Sequence, residues 1–407
     1  MSAKRKSDRP FHLAVIGNYM PRQCGIATFT TDLCDSLQVQ LDEDERVEAL
    51  AMDDIEGGYA YPERVTFQMR ANMQPDYQQA AEYLNVKQFD AVVLQHEYGI
   101  YGGTAGAYIL GLIKKLRMPV ITTLHTVLLK PSKAERAVMK ELAGYSDRLV
   151  VMSHKAYAIL QDVYDIPDDK IVFIPHGIPD VPFVDPSFHK DRFGVEGRKV
   201  ILSFGLLSPN KGYEVMIEAM PDIVKEHPDA VYMILGATHP AIRRQSGEEY
   251  RNSLQQRVTQ LGMDDHIIFH NRFVHLQLLC QYLGAADCYV TPYQSPQQIT
   301  SGTLAYALGC GKAIVSTPYW YAEELLDDGR GILAPFGESK GFADALNELL
   351  ADDLKRNTMR KKAYQYGRSM TWSQVGQSYI DLSREVIQER IENPKPWHVP
   401  QRPIERL

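Results

Sequence analysis

No glutamate occurs between Glu249 and Glu323, and from Arg272 to Ala322 the only acid of either kind is Asp287. No DxD-like acidic pair stands at a strand end with ligand spacing either, so no metal and no other cofactor is expected. Cysteine is also scarce. The five present (Cys24, Cys34, Cys280, Cys288 and Cys310) are odd in number and form no CxxC pair, which argues against a disulfide scaffold or a zinc site and for reduced thiols. The chain lacks any apolar run long enough to span a bilayer, and none follows the basic N-terminal residues as a leader would require; a cytoplasmic protein is the expectation. There is no basic field overall. A net charge of -7 makes nucleic acid an unexpected partner. Three basic residues, Lys4, Arg5 and Lys6, leave contact with anionic lipid open as an expectation.

What is present is an ordinary globular composition, 44% hydrophobic and 23% charged, over 407 residues, a length that suits two domains. Two halves carry the same rhythm. FHLAVI, RVEALAM, RVTFQM, DAVVLQ, VITTL, RLVVM and KIVFI are nearly continuous apolar runs, with helical patterns after most of them, AGAYILGLIKKL and KAERAVMKELAG included. KVILSFG, AVYMILG, IIFHN, CYVTPY, KAIV and GILAPF repeat the pattern, with one long helix expected through Tyr250. Such strands belong to parallel sheets covered on both faces. The expectation is α/β: two doubly wound, Rossmann-like domains facing a central cleft. The first domain takes residues 1–180, a linker 181–198 follows the Pro-rich IPHGIPD, the second takes 199–370, and a helix with a Pro-rich tail takes 371–407.

Ligands of such sheets bind beyond the carboxyl ends of the strands, so the residues there are the ones to inspect. After the first strand, Gly25 precedes a helix with Thr28, Thr30 and Thr31 in its first turns, either a close approach to a phosphate or a plain tight turn. His96 and Glu97 follow the fourth strand as acceptor-side candidates, the histidine equally readable as a buried, hydrogen-bonded one. His125 ends the fifth strand. In the second half Lys211 and Gly212 open a helix after SFGLLSPN. A cation is unfavourable beside a positive helix end, which favours a bound anion there. Thr238, His239, Arg243 and Arg244 form a polar cluster on the next loop. The run QITSGTLAYALGCGKAIVSTPYWYAEELL from Gln298 combines a helix start at Thr300, Ser301 and Gly302, a stop at Gly309–Gly311, a short strand, and a second turn leading to Glu323 and Glu324. Plain Ser/Thr capping between helix and strand accounts for each single residue equally well.

Together FGLLSPNKGYEVMIEA, IPHGIPD and the run from Gln298 through EELLDDGRGIL resemble glycosyltransferase family 4, the group 1 retaining transferases of the GT-B fold. The resemblance covers the second half, and the first half is consistent with the family's more variable acceptor domain. It implies a nucleotide-sugar donor held by the second domain, a carbohydrate acceptor held by the first, and a final helix crossing back to the first domain. It further implies that Lys211 binds phosphate, that His125 lies near the transferred sugar, and that Ile299, Thr300, Ser301, Gly302 and Thr303 hold sugar hydroxyls. Gly25 and Gly205 stand at the phosphate-side turns, and Glu324 is the acid after the second turn.

The departures from the family are specific. Two glutamates eight positions apart are usual, the first on the donor sugar and the second on the ribose; here those positions hold Gln298 and Tyr306. The arginine of the family's GR motif is replaced by Leu206. Gln298 brings hydrogen bonds without charge, and Tyr306 one hydroxyl in place of a carboxylate. Three functions follow as alternatives: a retaining hexosyltransferase using mannose or glucose with a glycan, lipid-linked or small acceptor; a phosphorylase using phosphate or sugar phosphate; and a noncatalytic sugar-binding relative.

Overall fold

The computed structural model describes residues 10–394. The basic residues 4–6 and the Pro-rich end from 395 lie outside that range. Seven strands form the first sheet: β1 (His12–Gly17), β2 (Arg46–Asp53), β3 (Val65–Arg70), β4 (Ala91–His96), β5 (Val120–Leu124), β6 (Arg148–Val151) and β7 (Ile171–Phe173). Their order is β3-β2-β1-β4-β5-β6-β7, and every pairing is parallel. Six form the second: β8 (Lys199–Phe204), β9 (Ala230–Leu235), β10 (Ile267–His270), β11 (Cys288–Thr291), β12 (Ala313–Ser316) and β13 (Ile332–Leu333), in the order β10-β9-β8-β11-β12-β13, again all parallel.

The apolar runs are buried for the reason they are apolar. Central strands β4, β9 and β11 are covered along their whole length, whereas edge strand β3 buries only Met69 and exposes every second residue. In each sheet the strand order reverses once, between β1 and β4 in the first and between β8 and β11 in the second. Those two reversal points open crevices at the carboxyl ends of the sheets, where loops diverge to opposite faces.

Two expectations for the helices change. The single long helix through Tyr250 is two, Pro240–Ser246 and Glu249–Gln260, because Gly247 takes a φ of 60° and the chain turns there. The AGAYILGLIKKL segment keeps only one short α-helix, Tyr108–Ile113, after a 3-10 turn.

The chain crosses between the sheets twice, and the two crossings lie side by side. Ile178 N–H donates to Met370 O and Trp372 N–H to Ile178 O, both at 2.9 Å. A side chain on Gly177 would fall 2.2 Å from the Trp372 indole, so the crossing requires glycine. From there the helix Trp372–Glu392 runs back over the first domain and packs along the helix Gly25–Val39. Its Tyr379 hydroxyl bonds Thr123 Oγ1 at 2.7 Å, and Arg390 pairs with Asp147 at 2.7 Å.

Where these two helices touch, a Cβ on Gly376 would stand 2.1 Å from Ser36 Oγ, the hydroxyl that donates to Trp372 O. Gly376→Ala therefore sets a clash of about 1–3 kcal/mol against a helix-propensity gain of up to ~1 kcal/mol. The expected outcome is a lower thermal midpoint; an unchanged or raised midpoint would show that the helices have room to spare.

Candidate active site

The two crevices meet in one cavity of about 820 Å³ between the domains. From the first domain a single helix supplies one wall: Gly25, Thr28, Phe29, Thr31 and Asp32 all border the cavity. At 100° per residue Gly25 and Asp32 fall on nearly the same helix face, two turns apart. From the second domain come the turns after β8, β9, β10 and β11, and His176 reaches in from the crossing segment.

Two helices begin at this cavity, one from each domain. Cys24 caps the first with its Sγ accepting from Ala27 N–H at 3.3 Å, and Ser301 caps the helix Gly302–Gly309 with its Oγ accepting from Leu304 N–H at 3.3 Å. Each cap occupies the third amide of its helix and leaves the first two ahead of it, where the positive end of the helix dipole favours an anion. Lys211 stands beside them, its Nζ 3.7 Å from the centroid of the Tyr293 ring, and no carboxylate pairs with it among the described residues. The Tyr293 hydroxyl bonds Thr303 Oγ1 at 2.7 Å, so the lysine, the tyrosine and the helix start form one connected wall.

Close backbone contacts hold these turns. Gly212, with φ of 65°, seats the Lys211 turn so near the chain after β11 that a Cβ would meet Pro292 O at 2.0 Å. A Cβ on Gly236 would meet Gly205 O at 1.9 Å. Gln298 Nε2–H donates to Thr300 O at 2.9 Å and closes the turn ahead of Ser301.

His176 donates Nδ1–H to Gly177 O at 2.7 Å, which leaves Nε2 as the unprotonated nitrogen on the side of Gly302. Burial lowers its pKa to about 4, so the ring is neutral near pH 7. Opposite it, Tyr306 O–H donates to Asp32 Oδ2 at 2.5 Å, and Trp372 Nε1–H reaches the same hydroxyl at 3.4 Å. Burial raises the Asp32 carboxyl to about 6 despite the tyrosine's hydrogen bond.

Of the residues selected from sequence, Gly25, Gly205, Lys211, Gln298, Thr300, Ser301, Gly302, Thr303 and Tyr306 line the cavity. Five do not. His125 lies one layer below, its ring edge-on to Phe29 at 4.9 Å and its Nε2–H donated to Gln95 Oε1 at 2.9 Å; burial, with the neighbouring histidines, lowers its pKa to about 3. His96 is fully buried in the sheet, its pKa lowered to about 4 by burial, and both ring nitrogens lack a hydrogen-bond partner among the described residues. Neither it nor Glu97, whose half-buried carboxylate accepts from Thr126 Oγ1, reaches the cavity wall. Ile299 points away into the apolar core of the first domain, as neighbouring side chains in an extended segment alternate. Glu324 caps the helix His154–Tyr164 of the opposite domain, accepting from His154 N–H at 2.9 Å and Lys155 N–H at 3.4 Å.

The 238–244 cluster also divides. His239 borders the cavity, while Thr238 and Arg243 turn to Glu248 and Arg244 crosses to Asp54 at 3.4 Å. Sequence reasoning missed Asp32, His176 and the apolar wall of Leu235, Phe273, Val274 and Leu279. The seven-residue spacing from Gly25 to Asp32 was the one available signal. Among the described residues no group of three or more His, Cys, Asp or Glu is placed to hold a metal ion, and no helix is long and apolar enough to cross a membrane.

Comparison with known proteins gives the following. Residues 185–366 match the family model "Glycosyl transferases group 1", and residues 39–180 match "Glycosyltransferase Family 4". The chain is 24% identical over 326 residues to alpha-monoglucosyldiacylglycerol synthase of Streptococcus pneumoniae, covering 75% of this chain and 69% of that protein. It is 25% identical over 198 residues to spore coat protein SA of Bacillus subtilis, a match that spans 47% of this chain and 50% of the relative. Among solved structures, Anabaena Alr3699/HepE in complex with UDP and glucose superposes with a TM-score of 0.71 at 18% identity, covering 92% of this chain and 99% of that one. This likeness establishes the two-domain GT-B fold.

Glu324→Ala removes a carboxylate cap and its charge from a helix start, a loss of about 1 kcal/mol. The ligand-free protein should therefore melt at a lower temperature. An unchanged midpoint would mean that Glu324 does not hold the domains together.

Proposed function

The chain belongs to the group 1, family 4-like glycosyltransferases, and from that premise we propose that it transfers a hexose from a nucleotide sugar to a carbohydrate acceptor with retention of configuration. The observation that carries this reading is the convergence, in one interdomain cavity, of two helix starts and the carboxylate-free Lys211. That arrangement suits a diphosphate, whose charge grows as the sugar leaves. On either side lie the two parts a nucleotide sugar needs. The apolar wall of Leu235, Phe273, Val274 and Leu279 suits a base, and the turn Gln298–Thr303 offers polar groups to a sugar. UDP and glucose in the Anabaena structure agree with the donor class. A phosphorylase has no use for the apolar wall, which favours the nucleotide reading over that alternative.

In the proposed reaction the anomeric carbon–oxygen bond to the diphosphate breaks, and the acceptor hydroxyl oxygen bonds the same carbon on the same face. The acceptor's proton passes to the departing phosphate oxygen. Lys211 and the two helix starts stabilise the diphosphate, so transfer is proposed to need no metal. Gln298 positions the sugar by hydrogen bonding, without a negative charge beside the developing cation. Mannose or glucose as the hexose, and a glycan, lipid-linked or small acceptor, complete the proposal. The acceptor enters from the first domain, past Thr28 and Thr31.

Calorimetry with UDP, GDP and ADP tests the donor class, and failure of all three to bind would overturn it. Lys211→Ala should weaken the best of them about ten- to hundredfold, the worth of one charge-assisted hydrogen bond. Turnover should survive excess EDTA and yield a product with the donor's anomeric configuration by proton NMR; inversion, or loss of activity to the chelator, would refute those parts.

A further inference from the structure

Among the described residues Asp32 is the one carboxylate on the cavity wall, and nothing in the reaction outlined above uses it. It comes from the first domain, on the same helix face as Gly25 and two turns further in, about 10 Å along the axis. That is comparable with the reach from a β-phosphate at the helix start, across the C5′ carbon, to the ribose hydroxyls. Its partner is Tyr306, on the opposing helix and one turn in from the helix start at Gly302. The two helices thus begin at the phosphate position and touch, through this pair, at the floor of the cavity.

No cation meets Asp32 among the described residues, and the neighbouring charge that acts on it is that of another acid, Asp35. A half-buried carboxylate without a cation is costly unless its oxygens accept several hydrogen bonds. Tyr306 occupies Oδ2 alone. The group that best satisfies the remaining lone pairs is a pair of neighbouring hydroxyls, each donating one hydrogen bond.

We propose that Asp32 is a donor-specificity residue whose carboxylate, oriented by Tyr306, accepts the vicinal hydroxyls of the nucleotide's ribose. The second domain, which on that reading binds the donor's other parts, puts no acid on this wall among the described residues, so the first domain completes the ribose site. Donor recognition then depends on the two domains being together. The proposal rests on the nucleotide-sugar reading and goes beyond it by naming the group recognised and the residue that recognises it.

The test uses the full chain and calorimetry with whichever of UDP, GDP and ADP binds best, alongside its 2′-deoxy counterpart. The native protein is expected to prefer the ribonucleotide about tenfold or more. Asp32→Asn and Asp32→Ala should weaken the ribonucleotide by a similar factor and bring the ratio of the two affinities close to one. Tyr306→Phe, which leaves the carboxylate in place, should retain most of the preference. Circular dichroism and the thermal midpoint confirm that each variant is folded; a variant that is not is replaced by Asp32→Glu, which should shift the ratio without abolishing binding. A native preference that persists in Asp32→Asn and Asp32→Ala would overturn the proposal and make the pair a structural contact between domains. A native protein that binds ribo- and deoxynucleotide equally would overturn it too. If no nucleoside diphosphate binds the native protein, the donor reading fails first and this inference falls with it, an outcome distinct from either of the others.

Discussion

Everything at the cavity depends on two strands of chain that pass between the domains hydrogen-bonded to each other. The Ile178 crossing and the Met370–Trp372 crossing are joined by two backbone bonds, and Gly177 lets the Trp372 indole lie directly against the first crossing. A single linker would leave the domains free to choose many relative orientations. Two paired linkers, with the helix Trp372–Glu392 then laid across the helix Gly25–Val39, restrict that choice and bring the β1–β4 reversal opposite the β8–β11 reversal. The same residues reach into the site. His176 is next to Gly177, and Trp372 donates to the Tyr306 hydroxyl that holds Asp32.

The site is consequently composite, and its parts divide by physical task. The two helix starts and Lys211 border the cavity together, and the turns around them are held close because Gly212 and Gly236 carry no side chain that would meet Pro292 O and Gly205 O. The apolar wall and the polar turn Gln298–Thr303 come from loops of the second domain. The carboxylate comes from the first. Further contacts between the domains lie outside the cavity: Glu324 on the helix His154–Tyr164, Arg244 on Asp54, and Ile299 seated in the first domain's core. Several of these are polar residues that, by chain position, resemble ligand contacts, and only their partners distinguish them.

Much of the fold was legible before any coordinates, because long apolar runs alternating with amphipathic segments admit few arrangements other than parallel sheets with helices on both faces. Many of the cavity-lining residues were legible for a related reason. Gly25, Gly205, Lys211 and Thr300–Thr303 each stand at a strand-to-helix turn, where the direction of the backbone already aims them at the carboxyl end of the sheet. His96 and His125 obeyed the same rule and still fell outside. Both are covered by side chains from other elements, Tyr98 and Tyr101 over the first and Phe29 over the second, and sequence order carries no record of that layering.

By itself the sequence determined the two doubly wound domains, the turns that face their common cleft, and the absence of acids from the stretch around Gln298 and Tyr306. Only the tertiary structure decided what stands in place of those acids. Tyr306 and Asp32 are 274 residues apart, on different domains, and meet because the two helix starts converge, so that a residue two turns into one helix touches a residue one turn into the other. Local pattern sets which face of a helix a residue occupies, but the neighbour across that face is set by how two separately folded bodies dock. That docking is written in Gly177, Gly376 and Trp372, whose importance lies in what they allow to approach.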